Sequence, residues 1–151
     1  MLRTFLLLVL LALTVLCAPL ARAAAPEPTL RFEHLSVAEG LTQESVLAMA
    51  QDSDGFMWFG TQNGLSRFDG YRFINYRSVP GKARTLSNNW VRVLHLDRHG
   101  RLWLGTDGGL NLYDPITRSF TLFVPQETAR RGNGNRHITS IVGDGKDGLW
   151  I

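Results

Sequence analysis

An all-β fold of repeated four-stranded antiparallel units is predicted by three observations. The first is a recurring stretch. Asp52-Ser53-Asp54-Gly55-Phe56-Met57-Trp58-Phe59-Gly60-Thr61-Gln62-Asn63-Gly64-Leu65 returns as Asp97-Arg98-His99-Gly100-Arg101-Leu102-Trp103-Leu104-Gly105-Thr106-Asp107-Gly108-Gly109-Leu110, and a third copy runs from Asp144 through Gly148 to Trp150. The second is its period: 45 residues separate Trp58 from Trp103 and 47 separate Trp103 from Trp150, a spacing typical of propeller blades. The third is strand chemistry. Phe56-Met57-Trp58-Phe59 and Leu102-Trp103-Leu104 are apolar at every position, which requires both faces of the sheet to be covered. Blades stacked radially on their neighbours meet that requirement, and a sandwich with one wet face does not. The prediction is a β-propeller with an incomplete ring.

The first residues are read as a leader. Met1 to Thr4 carries one positive charge, Phe5 to Leu16 is an almost unbroken apolar run, and Ala21-Arg22-Ala23 supplies small residues for cleavage, the pattern of a secretory signal peptide over residues 1–23. A retained membrane anchor is the competing reading, but the run is shorter than the span of about 20 residues a bilayer needs. Leu16 before Cys17 stands where lipoprotein processing needs a small residue. Without the leader, Arg3 and Arg22 are lost from the 16 basic residues, leaving 14 against 13 acidic ones. That balance gives no electrostatic case for nucleic acid. The only cysteine goes too, so neither a disulfide nor a thiolate metal site is expected, and stability in an oxidising compartment must come from packing.

Residues 24–29, with Pro26 and Pro28, read as an extended linker. The alternation Leu30-Arg31-Phe32-Glu33-His34-Leu35 predicts an outer clasp strand over 30–36. A first unit over 45–77 is expected to hold strands at roughly Ser45 to Gln51, Phe56 to Thr61, Leu65 to Phe68 and Tyr71 to Tyr76. A second, over 89–124, follows with Trp90 to Leu96, Leu102 to Thr106, Leu110 to Tyr113 and Ser119 to Val124. A third starts over 137–151 with a strand at Ile138 to Val142. Asp-x-x-Gly and Gly-Thr-x-x-Gly-Leu separate the strands, and the glycines are read as permitting turns with positive φ. Asp69-Gly70 makes a hairpin, while Asp114-Pro115-Ile116-Thr117 makes a looser turn that accounts for the two extra residues of that repeat.

The residues at 58–70 and 103–114 closely resemble the two-component regulator propeller repeat, and Glu39-Gly40-Leu41-Thr42-Gln43-Glu44-Ser45-Val46 resembles that family's usual lead-in to its first blade. The resemblance covers Phe32 to Ile151. It implies the sensory, ligand-binding propeller of a membrane-anchored bacterial signalling protein. The propeller would be periplasmic, joined by later segments to an inner-membrane span and to a histidine kinase, often hybrid, or a diguanylate cyclase, and dimeric when full length. The implied partners are the remaining blades and a small-molecule, glycan or protein ligand. The sequence then reads as an amino-terminal piece of a longer chain, expected to expose sheet edges and to associate or stay partly unfolded when expressed alone. The alternative is a secreted or periplasmic propeller enzyme, such as a lyase or glycan-acting protein, or a plain binding module.

A residue demanded in every repeat serves the repeat. Trp58, Trp103 and Trp150 are therefore read as packing between blades rather than as a ligand cage. With them go Asp52, Gly55, Gly60, Thr61, Gly64, Leu65, Asp97, Gly100, Gly105, Thr106, Gly109, Leu110, Asp144 and Gly148 as scaffold. Asp52-Ser53-Asp54-Gly55 looks like the start of a calcium loop, but Arg98 and His99 replace its ligands in the second copy, so Asp52, Asp97 and Asp144 are read as turn residues. Gly132-Asn133-Gly134-Asn135 lacks the lysine and hydroxyl of a phosphate-binding loop. His34, His95, His99 and His137 show no metal spacing and no nucleophile beside them. No catalytic residue, metal or cofactor is expected. Recognition is placed where the copies differ: Gln62, Asn63, Arg67 and Asp107, with the loops Ser78 to Asn89 and Gln126 to Arg136.

Overall fold

The computed structural model describes residues 31–123 and 136–151. The leader and linker readings lie outside the described residues, as does most of the loop at 126–136. Residues 31–33 fall in a first unit, Met1–Glu33, and everything below belongs to the second, His34–Ile151.

Two four-stranded antiparallel sheets carry the fold. The first is β1 (Val46–Gln51), β2 (Met57–Thr61), β3 (Gly64–Phe68) and β4 (Phe73–Tyr76), and the second is β5 (Val91–Leu96), β6 (Leu102–Thr106), β7 (Gly109–Asp114) and β8 (Ser119–Phe123). Each sheet keeps its strands in chain order. A short pair, β9 (Val142–Gly143) and β10 (Leu149–Trp150), opens the third repeat. The apolar second strands are covered on both faces, as propeller blades require: every residue of β6 is buried, and all of β2 but Met57.

The sheets meet through one core. Trp58 and Leu65 of the first pack with Val91, Leu102, Leu104, Tyr113 and Phe120 of the second, and Leu86 from the crossover fills between them. Trp58 lies 4.8 Å from the Tyr113 ring in an edge arrangement, and the Tyr76 and Tyr113 hydroxyls are 3.1 Å apart. Burial pushes the Tyr113 hydroxyl well above its usual range, and the bond to Tyr76 adds to the shift. A smaller core of Trp103, Leu110, Ile138 and Ile141 joins the second sheet to the third repeat.

Two expectations need correction, and a third, the clasp strand over 30–36, goes untested because the strand it would pair with is not among the described residues. Residues 31–36 form no strand, and Phe32 is 88% exposed. Alternation marks a segment that suits a sheet face, but a strand exists only where a neighbour completes its ladder. Ser36 instead caps a single 3-10 turn, Val37–Glu39. Its hydroxyl accepts the Ala38 N–H at 3.1 Å, and the Glu39 carboxylate accepts the Ser36 N–H at 2.7 Å, a reciprocal capping box. Residues 138–141 are not strand either. Their partner strand is β10, two residues long, so the ladder reaches only Val142 and Gly143. Finally, Tyr71 is 96% exposed and belongs to the β3–β4 turn, where the Asp69 carboxylate accepts the Tyr71 and Arg72 N–H groups at 2.9 and 2.8 Å.

Gly60 and Gly105 also differ from expectation, because neither has positive φ. What they supply is close approach. A Cβ on Gly60 would stand 2.8 Å from Val91 Cγ1 and 3.1 Å from Val91 O, and one on Gly105 would stand 2.6 Å from Ile138 Cγ2 and 2.8 Å from Ile138 O. Each glycine receives the backbone of the next repeat. The turn glycines Gly64 and Gly109 do adopt positive φ, at 116° and 126°.

Candidate functional site

The aspartate of each repeat organises the turn after the first strand. Asp52 Oδ1 accepts the N–H groups of Asp54 and Phe56 at 3.1 and 2.9 Å, while Oδ2 accepts the Trp58 indole at 2.7 Å. Asp97 does the same for His99, Arg101 and the Trp103 indole at 2.9, 3.0 and 2.9 Å. Burial pushes the Asp97 carboxyl up, but hydrogen bonds from the Trp103 indole, the Arg101 backbone and side chain and the His99 N–H outweigh it. They hold the group well below the usual carboxylate range. Asp144 accepts the Lys146 and Gly148 N–H groups at 2.7 and 3.1 Å. Trp58 and Trp103 are buried, whereas Trp150 is 71% exposed.

A second device lies at the opposite sheet end. Thr61 Oγ1 accepts the Asn63 N–H at 3.0 Å and donates to Gly64 O at 3.0 Å, closing the β2–β3 turn; Thr106 repeats this with Gly108 and Gly109. Thr42 and Ser87, from the segments leading into β1 and β5, strap these threonines at 2.9 Å each. Thr42 also bonds Ser66, and Ser87 also bonds Asn111.

Of the four residues singled out as recognition candidates, the structure puts Gln62 and Asn63 in the exposed β2–β3 turn and Asp107 at the equivalent place in the β6–β7 turn. Asn63 is tied locally, its O accepting from Arg77 Nε at 3.2 Å. Arg67 stands apart, in β3 opposite Trp58. Its guanidinium lies 4.3 Å from the Phe56 ring centroid, and its buried Nε has no hydrogen-bond partner among the described residues. Leu112 holds the equivalent place in the second sheet and packs on the smaller core.

Asp107 is the candidate around which a cluster forms. Arg92 grips it with both Nε and Nη2, the latter at 3.2 Å from Oδ2, and His137 Nδ1 lies 3.1 Å from Oδ1. The Arg92 guanidinium sits 5.0 Å from the Trp90 ring centroid, and the Asp107 N–H donates to Trp90 O at 3.2 Å. The hydrogen bond from Arg92, then the charges of Arg92 and His137, hold the Asp107 carboxyl below its usual range; the same bond raises Arg92. Arg92 reaches this place because β5 carries a bulge between Val91 and Val93, a feature that re-aims a side chain. Leu47 occupies the same bulge in β1, and Ser45 and Gln62 replace Trp90 and Asp107. The cluster is thus peculiar to the second repeat, and aligning Trp90 with Ser45 and Arg92 with Leu47 is the signal that would have exposed it. Its charges are paired with one another, Arg92 and His137 both on Asp107. Among the described residues no three His, Cys, Asp or Glu side chains converge as a metal ion would require.

Residues 40–63 and 85–108, which span the lead-in, first two strands and turns of each sheet, match the family described as two component regulator propeller. Each of the two stretches is thus similar to a two-component regulator propeller repeat. The chain is similar over 78% of its length to the extracellular domain of BT3049 from B. thetaiotaomicron, a proposed hybrid two component system, at 29% identity and a TM-score of 0.67. It is also similar over 62% to the extracellular domain of BT4673 of the same organism, a proposed one component system, at 31% identity and a TM-score of 0.51. A stretch of 56 residues is 42% identical to Histidine kinase P4 of Formosa agariphila. The chain spans 17%, 14% and 4% of these proteins in turn. Among the described residues, no helix is long and apolar enough to cross a membrane.

Proposed function

We propose that this chain is part of the ligand-sensing propeller of a bacterial signal-transduction protein, exposed on the periplasmic or extracellular side of the membrane. Its output would be a histidine kinase phosphorelay or a diguanylate cyclase, in a dimeric full-length protein. The observation that carries this reading is the likeness to the extracellular domain of BT3049, which extends over most of the chain. The Trp90, Arg92, Asp107 and His137 cluster supports it with a mechanism. Trp90, Arg92 and Asp107 belong to the second repeat and His137 precedes Ile138 of the third, so the Asp107 to His137 pair crosses a repeat boundary. A ligand stacking on Trp90 or competing for Arg92 would weaken that link, and differential affinity for the linked and unlinked states would shift the population of the whole propeller.

The test is to reconstitute the full-length protein in lipid nanodiscs and follow autophosphorylation, or cyclic dinucleotide synthesis, while screening soluble extracts of nutrients. Arg92→Ala is expected to raise the activating concentration by roughly tenfold, the scale of one lost charge-assisted hydrogen bond, and to shift basal output, because Arg92 also holds Asp107 of the cross-repeat link. Neither output from the full-length protein, together with chain cleavage of a glycan by the propeller alone, would overturn the sensor in favour of an enzyme.

A further inference from the structure

We propose that the cleft between the β5–β6 and β9–β10 turns is a binding site for a small molecule bearing an oxyanion: a carboxylate, a phosphate or a sulfate. It lies at the sheet ends remote from Asp107 and stands independently of the sensor reading. Two departures from the repeat create it. In the second repeat the turn carries Arg98 and His99 where the first has Ser53 and Asp54. In the third, Asp147 replaces the positive-φ glycine found at Gly55 and Gly100, and Gly145 takes over that conformation with φ of 78°. The changed residues meet across the repeats. Arg98 Nη2 and His99 Nε2 each lie 2.7 Å from Asp147 Oδ1.

The cleft has a volume of about 310 Å³, at the low end of the roughly 300–1,000 Å³ of small-molecule sites. Arg98, Arg101 and Lys146 bring three permanent cations to its lining, with His95 and His99 beside them, against the two carboxylates Asp97 and Asp147. Those carboxylates are occupied internally. Asp97 is committed to the Trp103 indole, to Arg101 Nε at 2.5 Å and to two backbone N–H groups, and Asp147 Oδ1 to Arg98 and His99. The donors therefore outnumber the acceptors that face them. Two glycines of the wall, Gly143 and Gly145, leave room for a ligand to approach the backbone, while the space beside Gly148 is taken by the Asp144 carboxylate. An oxyanion would take the donors of Lys146 and Arg98 together, in charge-assisted bonds stronger than those to neutral groups.

Calorimetric titration of the full chain with inorganic phosphate, sulfate and acetate, at constant ionic strength set with chloride, tests the site. NMR shifts of residues 143–148 locate the binding. At least one anion is expected to saturate, and which one identifies the ester or acid class. Arg98→Gln and Lys146→Gln should each weaken it by roughly tenfold. Lys146→Gln keeps the backbone N–H that Lys146 gives to the turn, so unchanged near-UV circular dichroism is expected of it. Asp147→Asn should tighten binding several-fold by releasing Arg98 and His99 to the ligand. Non-saturating responses alike for all three anions, affinity unmoved by Lys146→Gln, or affinity unmoved by Asp147→Asn would each overturn the proposal.

Discussion

Asp97 shows how one side chain can make a turn and seat a core residue together. Its folded carboxyl is held below the ordinary range, so the stabilisation it gives is present above its unfolded value of about 4 and is lost as pH falls from there through the folded value. Acid unfolding of the wild type should therefore steepen below about pH 4, and Asp97→Asn should flatten that limb in a urea-denaturation series across pH. Removing the acceptor altogether, with Asp97→Ala, leaves the buried Trp103 indole unpaired and should cost about 1–3 kcal/mol. The turn role was legible, since aspartate before glycine at short range has few other uses. The indole bond was not, because it depends on where a residue six positions later swings. Gly60 and Gly105 were misread for a related reason. Their need is created by Val91 and Ile138, residues 31 and 33 positions away in the chain. Gly105→Ala should destabilise by about 1–3 kcal/mol through overpacking, and by more than Gly60→Ala, because its Cβ meets two side chains and a carbonyl at 2.8 Å or less. Equilibrium denaturation of both variants checks the order.

At the scale of elements, the eight strands of the two sheets sit where apolar runs and turn glycines placed them, within two residues at each end. Both signals are local, which is why they could be read. The strap from Thr42 to Thr61 and Ser66, and from Ser87 to Thr106 and Asn111, was missed because it joins short polar residues 19 and 24 positions apart with no pattern linking them. Thr106 is fully buried and holds Gly108, Gly109 and Ser87 at once. Thr106→Val should cost about 1–3 kcal/mol, the penalty of leaving buried polar partners unpaired, while Thr106→Ser should recover most of it; thermal melts of the two variants test this. The clasp strand at 30–36 stands untested for a related reason: its local pattern suits a strand, but pairing is a property of two segments and its partner is not among the described residues. The recognition candidates divide the same way. Comparing repeats found Asp107, but its partners Arg92 and His137 are visible only once the β5 bulge and the third repeat are placed.

For the whole molecule, the question is how one repeat holds the next. Tyr76 and Tyr113 face each other across the first boundary, within an aromatic group that includes Trp58 and Phe120. A double-mutant cycle of Tyr76→Phe and Tyr113→Phe should show coupling of about 0.5–1.5 kcal/mol, the usual net scale of a hydrogen bond; additive effects would mean the two sheets do not communicate through this bond. The open side of β1 is different. Met49 is 64% exposed, whereas Leu94, its counterpart in β5, packs against the core between the sheets. Gly60 and Gly105 carry a further consequence. Because a Cβ at either place would collide with the following repeat, the separation of neighbouring repeats depends on glycine at these two positions. The exposed turns lie apart from these two contacts, and they differ from repeat to repeat, as Ser53 and Asp54 do against Arg98 and His99. Substitution in the turns can then change the exposed surface while both glycine joints stay as they are.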